Sequence, residues 1–141
     1  MIREFETKDL DEVMEIWLIS NLQTHDFVPK SYWRKNYTEV SRIMQLATVF
    51  VWEEDGHVQG FIGAMEGFVA GLFVKEEKRG SGIGKALLDK MKEVEKSLSL
   101  AVYEKNVRAV RFYMREGFKV QSERVEESTK EKEFLLSYEG E

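Results

Sequence analysis

Three glycines in five residues, Gly80, Gly82 and Gly84, join an apolar run to an amphipathic helix, and this junction constrains the fold more than any other stretch. The run before it, Gly67 to Val74 (GFVAGLFV), has the length and the β-branched and aromatic content of a buried strand. After it, Ile83, Leu87, Leu88, Met91, Val94 and Leu98 are spaced as the stripe of a core-facing helix. Glycines let the backbone turn sharply there and present several N–H groups to one acceptor. The orphan amides and positive dipole end of the new helix add to this, so the turn suits an anion such as phosphate.

Spacing discriminates among the ligands that such turns serve. A Walker A loop needs glycine where Arg79 stands, and Ser or Thr where Ala86 stands. A dinucleotide fingerprint starting at Gly80 needs glycine where Lys85 stands, and no βαβ unit precedes it. The pattern that fits is Arg-x-x-Gly-x-Gly, at Arg79, Gly82 and Gly84. Downstream, NVRAVRFYMREGF reads as Asn-x-x-Ala-x-x-Phe-Tyr-x-x-x-Gly-Phe at Asn106, Ala109, Phe112, Tyr113, Gly117 and Phe118. Together the two motifs, in this order, resemble those of the GNAT superfamily of N-acetyltransferases, which bind acetyl-coenzyme A. The resemblance covers essentially the whole chain and implies a mixed α/β fold with a largely antiparallel central sheet and flanking helices.

Length and charge set bounds. A chain of 141 residues is the size of one domain, so residues 1–141 are expected to form a single unit. Apolar runs fall short of a membrane span, and Arg3, Glu4 and Glu6 interrupt any signal peptide, which points to a cytoplasmic protein. The absence of cysteine removes thiolate nucleophiles and cysteine-zinc sites, and His25 and His57 stand too far apart for a metal-ligand motif, so no metal is expected. A net charge of -5 argues against nucleic acid as a partner. Between Lys75 and Lys85, however, four basic residues stand against two acidic ones, a small positive island at the proposed anion site.

Taken in order, the chain predicts a strand at Ile2 to Phe5 and a helix capped by Thr7 that ends near Asn21. A second helix, capped by Ser31, runs to Leu46. Strands Thr48 to Glu53 and Val58 to Met65 flank an Asp55-Gly56 hairpin signal, and Glu66-Gly67 turns into the central strand. Gly71 within that strand marks a bulge or a close approach, and the resemblance implies a bulge near it that splays two strands around the cofactor. Leu98 to Tyr103, a helix over Asn106 to Glu116 with Gly117 as its C-cap, and strands Phe118 to Val125 and Lys132 to Tyr138 complete the pattern.

The chemistry follows from the ligand that the resemblance implies. Loop residues Arg79, Gly80, Ser81, Gly82, Ile83, Gly84 and Lys85 suit the pyrophosphate of acetyl-CoA. By similarity the backbone of Leu72, Phe73 and Val74 pairs with the pantetheine arm, and Asn106 contacts the arm while also capping a helix. Tyr113 occupies the family's position for the acid that protonates the leaving thiolate, although core packing also accounts for an aromatic there. The amine's base is open: Glu66 and His25 are candidates for base or acceptor contact, and loss of the proton to water is the alternative.

The function expected is acetyl transfer to a primary amine in a ternary complex, with an acyl-CoA-binding or sensing module as the alternative. The acceptor, a small molecule or a peptide amine, is open, as is whether Trp17, Phe27, Tyr32 and Trp33 line its site or fill the core. An exposed strand edge leaves a homodimer open.

Overall fold

Alternating apolar residues build a sheet covered on both faces. In Thr48–Glu54 (β2), Val49 and Val51 project to one face and Phe50 to the other; in His57–Met65 (β3), Phe61 and Ile62 divide in the same way. The computed structural model describes residues 1–140. With Ile2–Glu4 (β1), Phe68–Val74 (β4), Ser97–Tyr103 (β5), Lys119–Val125 (β6) and Lys132–Glu139 (β7), the strands form one sheet in the order β1-β2-β3-β4-β5-β7-β6. Only β4 and β5 run parallel; the other neighbours are antiparallel. The mixed, largely antiparallel α/β architecture is the one expected.

Helices Leu10–Thr24 (α1) and Lys30–Leu46 (α2) bury Val13, Met14, Trp17, Trp33 and Met44 against the Val49, Val51 and Phe61 face. On the opposite face, Ile83–Val94 (α3) and Val107–Arg115 (α4) bury Ile83, Leu87, Leu88, Met91 and Tyr113. Full burial of a side chain such as Leu87 contributes about 1.5–3 kcal/mol. Both two-residue hairpin turns have positive φ at both residues, Asp55 and Gly56 in one, Glu66 and Gly67 in the other, as the twist of the flanking strands demands. Among the described residues, no helix is long and apolar enough to cross a membrane.

Four local expectations are corrected. Thr7 does not cap α1; Thr7–Asp9 makes a 3-10 turn in which the Asp9 carboxylate accepts the Glu6 N–H at 2.8 Å. Asp9 is also gripped by both terminal nitrogens of Arg3, each at 2.8 Å, which fixes the approach to α1. Helix α1 runs on to Thr24 rather than ending near Asn21, its last turn closed by the His25 N–H donating to the Asn21 carbonyl at 2.9 Å. Ser31 lies inside α2, which starts at Lys30 directly after the extended Pro29. Leu98 leaves the helical stripe for β5, since Glu95 adopts an extended conformation (φ -123, ψ 123) and ends α3.

Candidate active site

Strands β4 and β5 share a single bridge, Phe68 with Ser99, and the Ser99 N–H closes that end by donating to the Gly67 carbonyl at 2.9 Å. Beyond it the two strands part. A bulge in β4 helps to turn them: Gly63 faces Gly71 and Ala64 faces Val69, so Ala70 is the extra residue and Gly71 stands beside it. A Cβ on Gly71 would lie 2.9 Å from the Phe73 ring, so its missing side chain makes room for that ring.

The ladder with β3 decides which backbone groups face the gap. Lys75 N–H donates to the Gln59 carbonyl at 2.9 Å, so the hydrogen-bonded pairs, which recur every second residue, include Phe61 with Phe73. Phe73 therefore spends its amide and carbonyl on β3, which corrects the expectation that all three residues Leu72, Phe73 and Val74 offer backbone to the gap. Leu72 and Val74 do face it, and the Val74 carbonyl already accepts the Arg79 Nε–H at 2.9 Å.

The loop from Gly80 to Lys85 sits at the open end. Arg79 does not extend into it. Its guanidinium folds back to Val74 and reaches the Ser20 hydroxyl of α1 at 3.4 Å, and its own N–H donates to the Glu76 carbonyl at 3.2 Å. From Gly80 to Lys85, in contrast, no backbone N–H has an acceptor among the described residues; the first helical bond runs from the Ala86 N–H to the Gly82 carbonyl at 3.0 Å. Gly82 holds φ at +90 as the residue before α3, and a Cβ built on it or on Gly80 meets nothing within 4 Å. The Lys85 ammonium turns aside to Glu116 at 3.0 Å and Asp89 at 3.3 Å.

Asn106, separated from the end of β5 by Glu104 and Lys105, caps α4: its Oδ1 accepts the Ala109 N–H at 3.3 Å, the helix-capping role expected of it. Its Nδ2 lies 3.1 Å from His25 Nε2, and His25 Nδ1 lies 2.8 Å from Asn21 Oδ1. His25 is buried, stacked on Trp33 with ring centroids 5.4 Å apart and met edge-on by Phe27 and Tyr103. Burial holds its pKa down to about 4, against a smaller upward pull from Asp26. The indole N–H of Trp33 is buried with no partner among the described residues.

Tyr113 projects from α4 into the core between Phe112 and Phe118, at 5.2 and 5.4 Å between ring centroids. Burial pushes its phenol well above the ordinary tyrosine value. No residue bonds the hydroxyl among those described. Glu66 occupies the β3–β4 turn, past the closed end of the gap, and is exposed. The loop follows β4 and Asn106 follows β5, so both come after the ends at which the two strands part, with His25 bonded to Asn106, whereas Glu66 lies at the closed end. Sequence reasoning missed Asn21; its spacing of four from His25 on a helix was the available signal.

Residues 45–120 match the family model described as an acetyltransferase (GNAT) domain. The chain belongs to the GNAT acetyltransferases. This GNAT chain is 40% identical over 123 residues to the peptidyl-lysine N-acetyltransferase YiaC of Escherichia coli K12, a match spanning 85% of this chain and 84% of that protein. It is 32% identical to the peptidyl-lysine N-acetyltransferase YjaB of Salmonella typhimurium, over 84% of this chain and 83% of that one. The solution structure of apo YjaB from Escherichia coli superposes with a TM-score of 0.84 at 28% identity, covering 100% of this chain and 98% of the other. An aminoglycoside 6'-N-acetyltransferase complexed with coenzyme A shares the fold at a TM-score of 0.76 and 13% identity, over 99% and 96% of the two chains. The GNAT chain is accordingly an acetyl-CoA-dependent N-acetyltransferase.

Proposed function

We propose that this GNAT chain acetylates the ε-amine of lysine in a peptide or protein, by direct attack of the amine in a ternary complex with acetyl-CoA. The observation that carries the proposal is the parting of β4 from β5 after one bridge, beside a loop whose six N–H groups have no acceptor among the described residues. Relatives named as peptidyl-lysine N-acetyltransferases direct the choice of acceptor.

The residues fit the cosubstrate. The amides of Gly80, Ser81, Gly82, Ile83, Gly84 and Lys85, with open space at Gly80 and Gly82, suit a pyrophosphate at a helix N-terminus. Leu72 and Val74 offer backbone groups to the amides of an extended arm, as a sheet edge does to an added strand. Arg79 supports this arrangement by bracing the loop against the end of β4 rather than by reaching the ligand. When bound, acetyl-CoA supplies an activated acetyl carbonyl and a thiol leaving group. A gap-facing N–H of β4 is a donor for charge developing on the carbonyl oxygen. Tyr113, kept protonated by burial, holds the proton for the departing sulfur. A lysine amine, with a pKa of about 10.4 in water, must lose its own proton. Strand β4 carries no carboxylate, Glu66 lies beyond the closed end and both nitrogens of His25 are engaged, so the proton leaves to water.

The test is release of free CoA thiol from acetyl-CoA with a lysine-containing peptide, the same peptide with its lysine acetylated, and a small polyamine. Thiol release with the first alone, and an acetyl group located on its lysine by mass spectrometry, is the expected result. Release with the polyamine alone would overturn the acceptor. Acetyl-CoA binding without release for any amine would favour an acyl-CoA-binding or sensing module instead.

A further inference from the structure

A hydrogen-bonded relay runs from α1 to α4 past the carboxyl end of β5, and its polarity is fixed at both ends by backbone groups. At one end the Ala109 N–H is necessarily a donor, so the Asn106 atom facing it is oxygen and the atom facing His25 is the amide nitrogen, also a donor. His25 Nε2 must then accept, which places the imidazole proton on Nδ1, aimed at Asn21 Oδ1. The Asn21 amide nitrogen is left to donate to the Trp17 carbonyl at 2.9 Å, and a carbonyl is necessarily an acceptor. The chain is satisfied at every link in this direction, and in no other. A proton added at Nε2 would set donor against donor at Asn106.

We propose that His25 is a positioning residue: it holds the Asn106 carboxamide so that its second N–H and second lone pair face the acetyl-CoA arm. Two of the four bonding sites of Asn106 are taken by His25 and Ala109, and the remaining donor and acceptor complement the carbonyl and N–H of an amide. Because His25 ends α1 and Asn106 begins α4, the bond ties the helices of one face to those of the other past the carboxyl end of β5. The same geometry removes His25 as the general base. The inference rests on the reading of Asn106 as a contact to the arm.

The test compares His25→Gln, whose Oε1 stands where Nε2 stood and accepts from Asn106, with His25→Asn, whose shorter amide reaches only Asn21. Calorimetric titration with CoA is expected to show Asn106→Ala and His25→Asn weakened about five- to tenfold, the worth of one hydrogen bond, with His25→Gln close to the parent. Nitrogen-15 NMR of the unaltered protein is expected to show His25 neutral and protonated at Nδ1. Protonation at Nε2 would overturn the proposal irrespective of how any variant folds. Loss of affinity in Asn106→Ala with none in His25→Asn would overturn the positioning role alone. Unchanged affinity in Asn106→Ala would remove the arm contact and the proposal with it. Equal loss of turnover in both His25 variants with CoA affinity unmoved would mark a base and refute positioning.

Discussion

Replacing Tyr113 by phenylalanine removes one oxygen atom from a ring whose packing is otherwise retained. The ring meets Phe112 and Phe118 edge-on, and these contacts do not involve the hydroxyl. Since no described residue bonds that hydroxyl, the substitution breaks no internal hydrogen bond, and folding stability should change by about 1 kcal/mol or less. CoA affinity should stay within about twofold, or ~0.4 kcal/mol, because the pyrophosphate and arm partners lie elsewhere. Turnover is different. A positioned acid contributes about 10²–10⁴-fold, which is roughly 2.7–5.4 kcal/mol of barrier, so kcat with saturating lysine peptide should fall by at least two orders of magnitude. The raised phenol pKa means that the proton is in place throughout the neutral range, so the loss should not be recovered by lowering the pH. Thiol release under saturating conditions gives kcat, and calorimetry gives the affinity. A Tyr113→Phe protein that keeps kcat within a factor of two would refute the acid role and leave Tyr113 a core aromatic.

Gly82→Ala should cost only about 1–2 kcal/mol of stability, since its Cβ meets open space and only the left-handed backbone is penalised, yet weaken CoA binding by more than about tenfold. Equal affinity by calorimetry would move the pyrophosphate away from this loop. Asp9→Asn should destabilise the fold by about 2–3 kcal/mol in urea unfolding with an unchanged slope, because the buried carboxylate receives two Arg3 nitrogens and a backbone N–H; a loss under about 0.5 kcal/mol would refute that weighting. For His25 the sign is set by a folded pKa of about 4 below an unfolded value of about 6.5. The unfolded chain takes up the proton first, so stability is lost as the pH falls from about 6.5 to about 4, by at most about 3–4 kcal/mol. His25→Gln should lack that part of the slope, and superimposable pH profiles would show that His25 titrates normally.

The sequence announced the parts of this fold that depend on neighbours along the chain. Asp55-Gly56 and Glu66-Gly67 carry the φ values of tight hairpin turns, Asn106 caps α4 through Ala109, and Gly82 supplies a left-handed residue at the start of α3. Parts that depend on partners remote in sequence were not legible. Leu98 fits both the helical stripe and the strand expected over Leu98 to Tyr103, and it is the pairing with Tyr138 of β7 that decides for β5. Arg79 belongs to the phosphate-loop pattern, yet its side chain finds the Val74 carbonyl, an acceptor exposed only because β5 has swung away. The bulge expected near Gly71, in contrast, is present: Ala70 is its extra residue, and Gly71 beside it admits the Phe73 ring. His25 and Asn106 are 81 residues apart, and nothing local in either segment announces that they meet.

That meeting bears on how donor and acceptor sides of the site communicate. A continuous sheet separates the α1–α2 core from the α3–α4 core, and backbone pairing leaves no room for side chains to cross it. Where β4 and β5 separate, that barrier ends, and a polar link between the two layers becomes possible. Buried polar chains stabilise only when every member is satisfied, because an unpaired group in a low-dielectric interior costs more than the bond returns. The relay from Trp17 through Asn21, His25 and Asn106 to Ala109 meets that condition, and it does so without a charge. A base placed at His25 would need to gain a proton in each cycle and would break the chain each time. Neutrality of His25 is therefore a requirement of the architecture that holds Asn106, and it accords with the proposal that the acceptor's proton leaves through solvent.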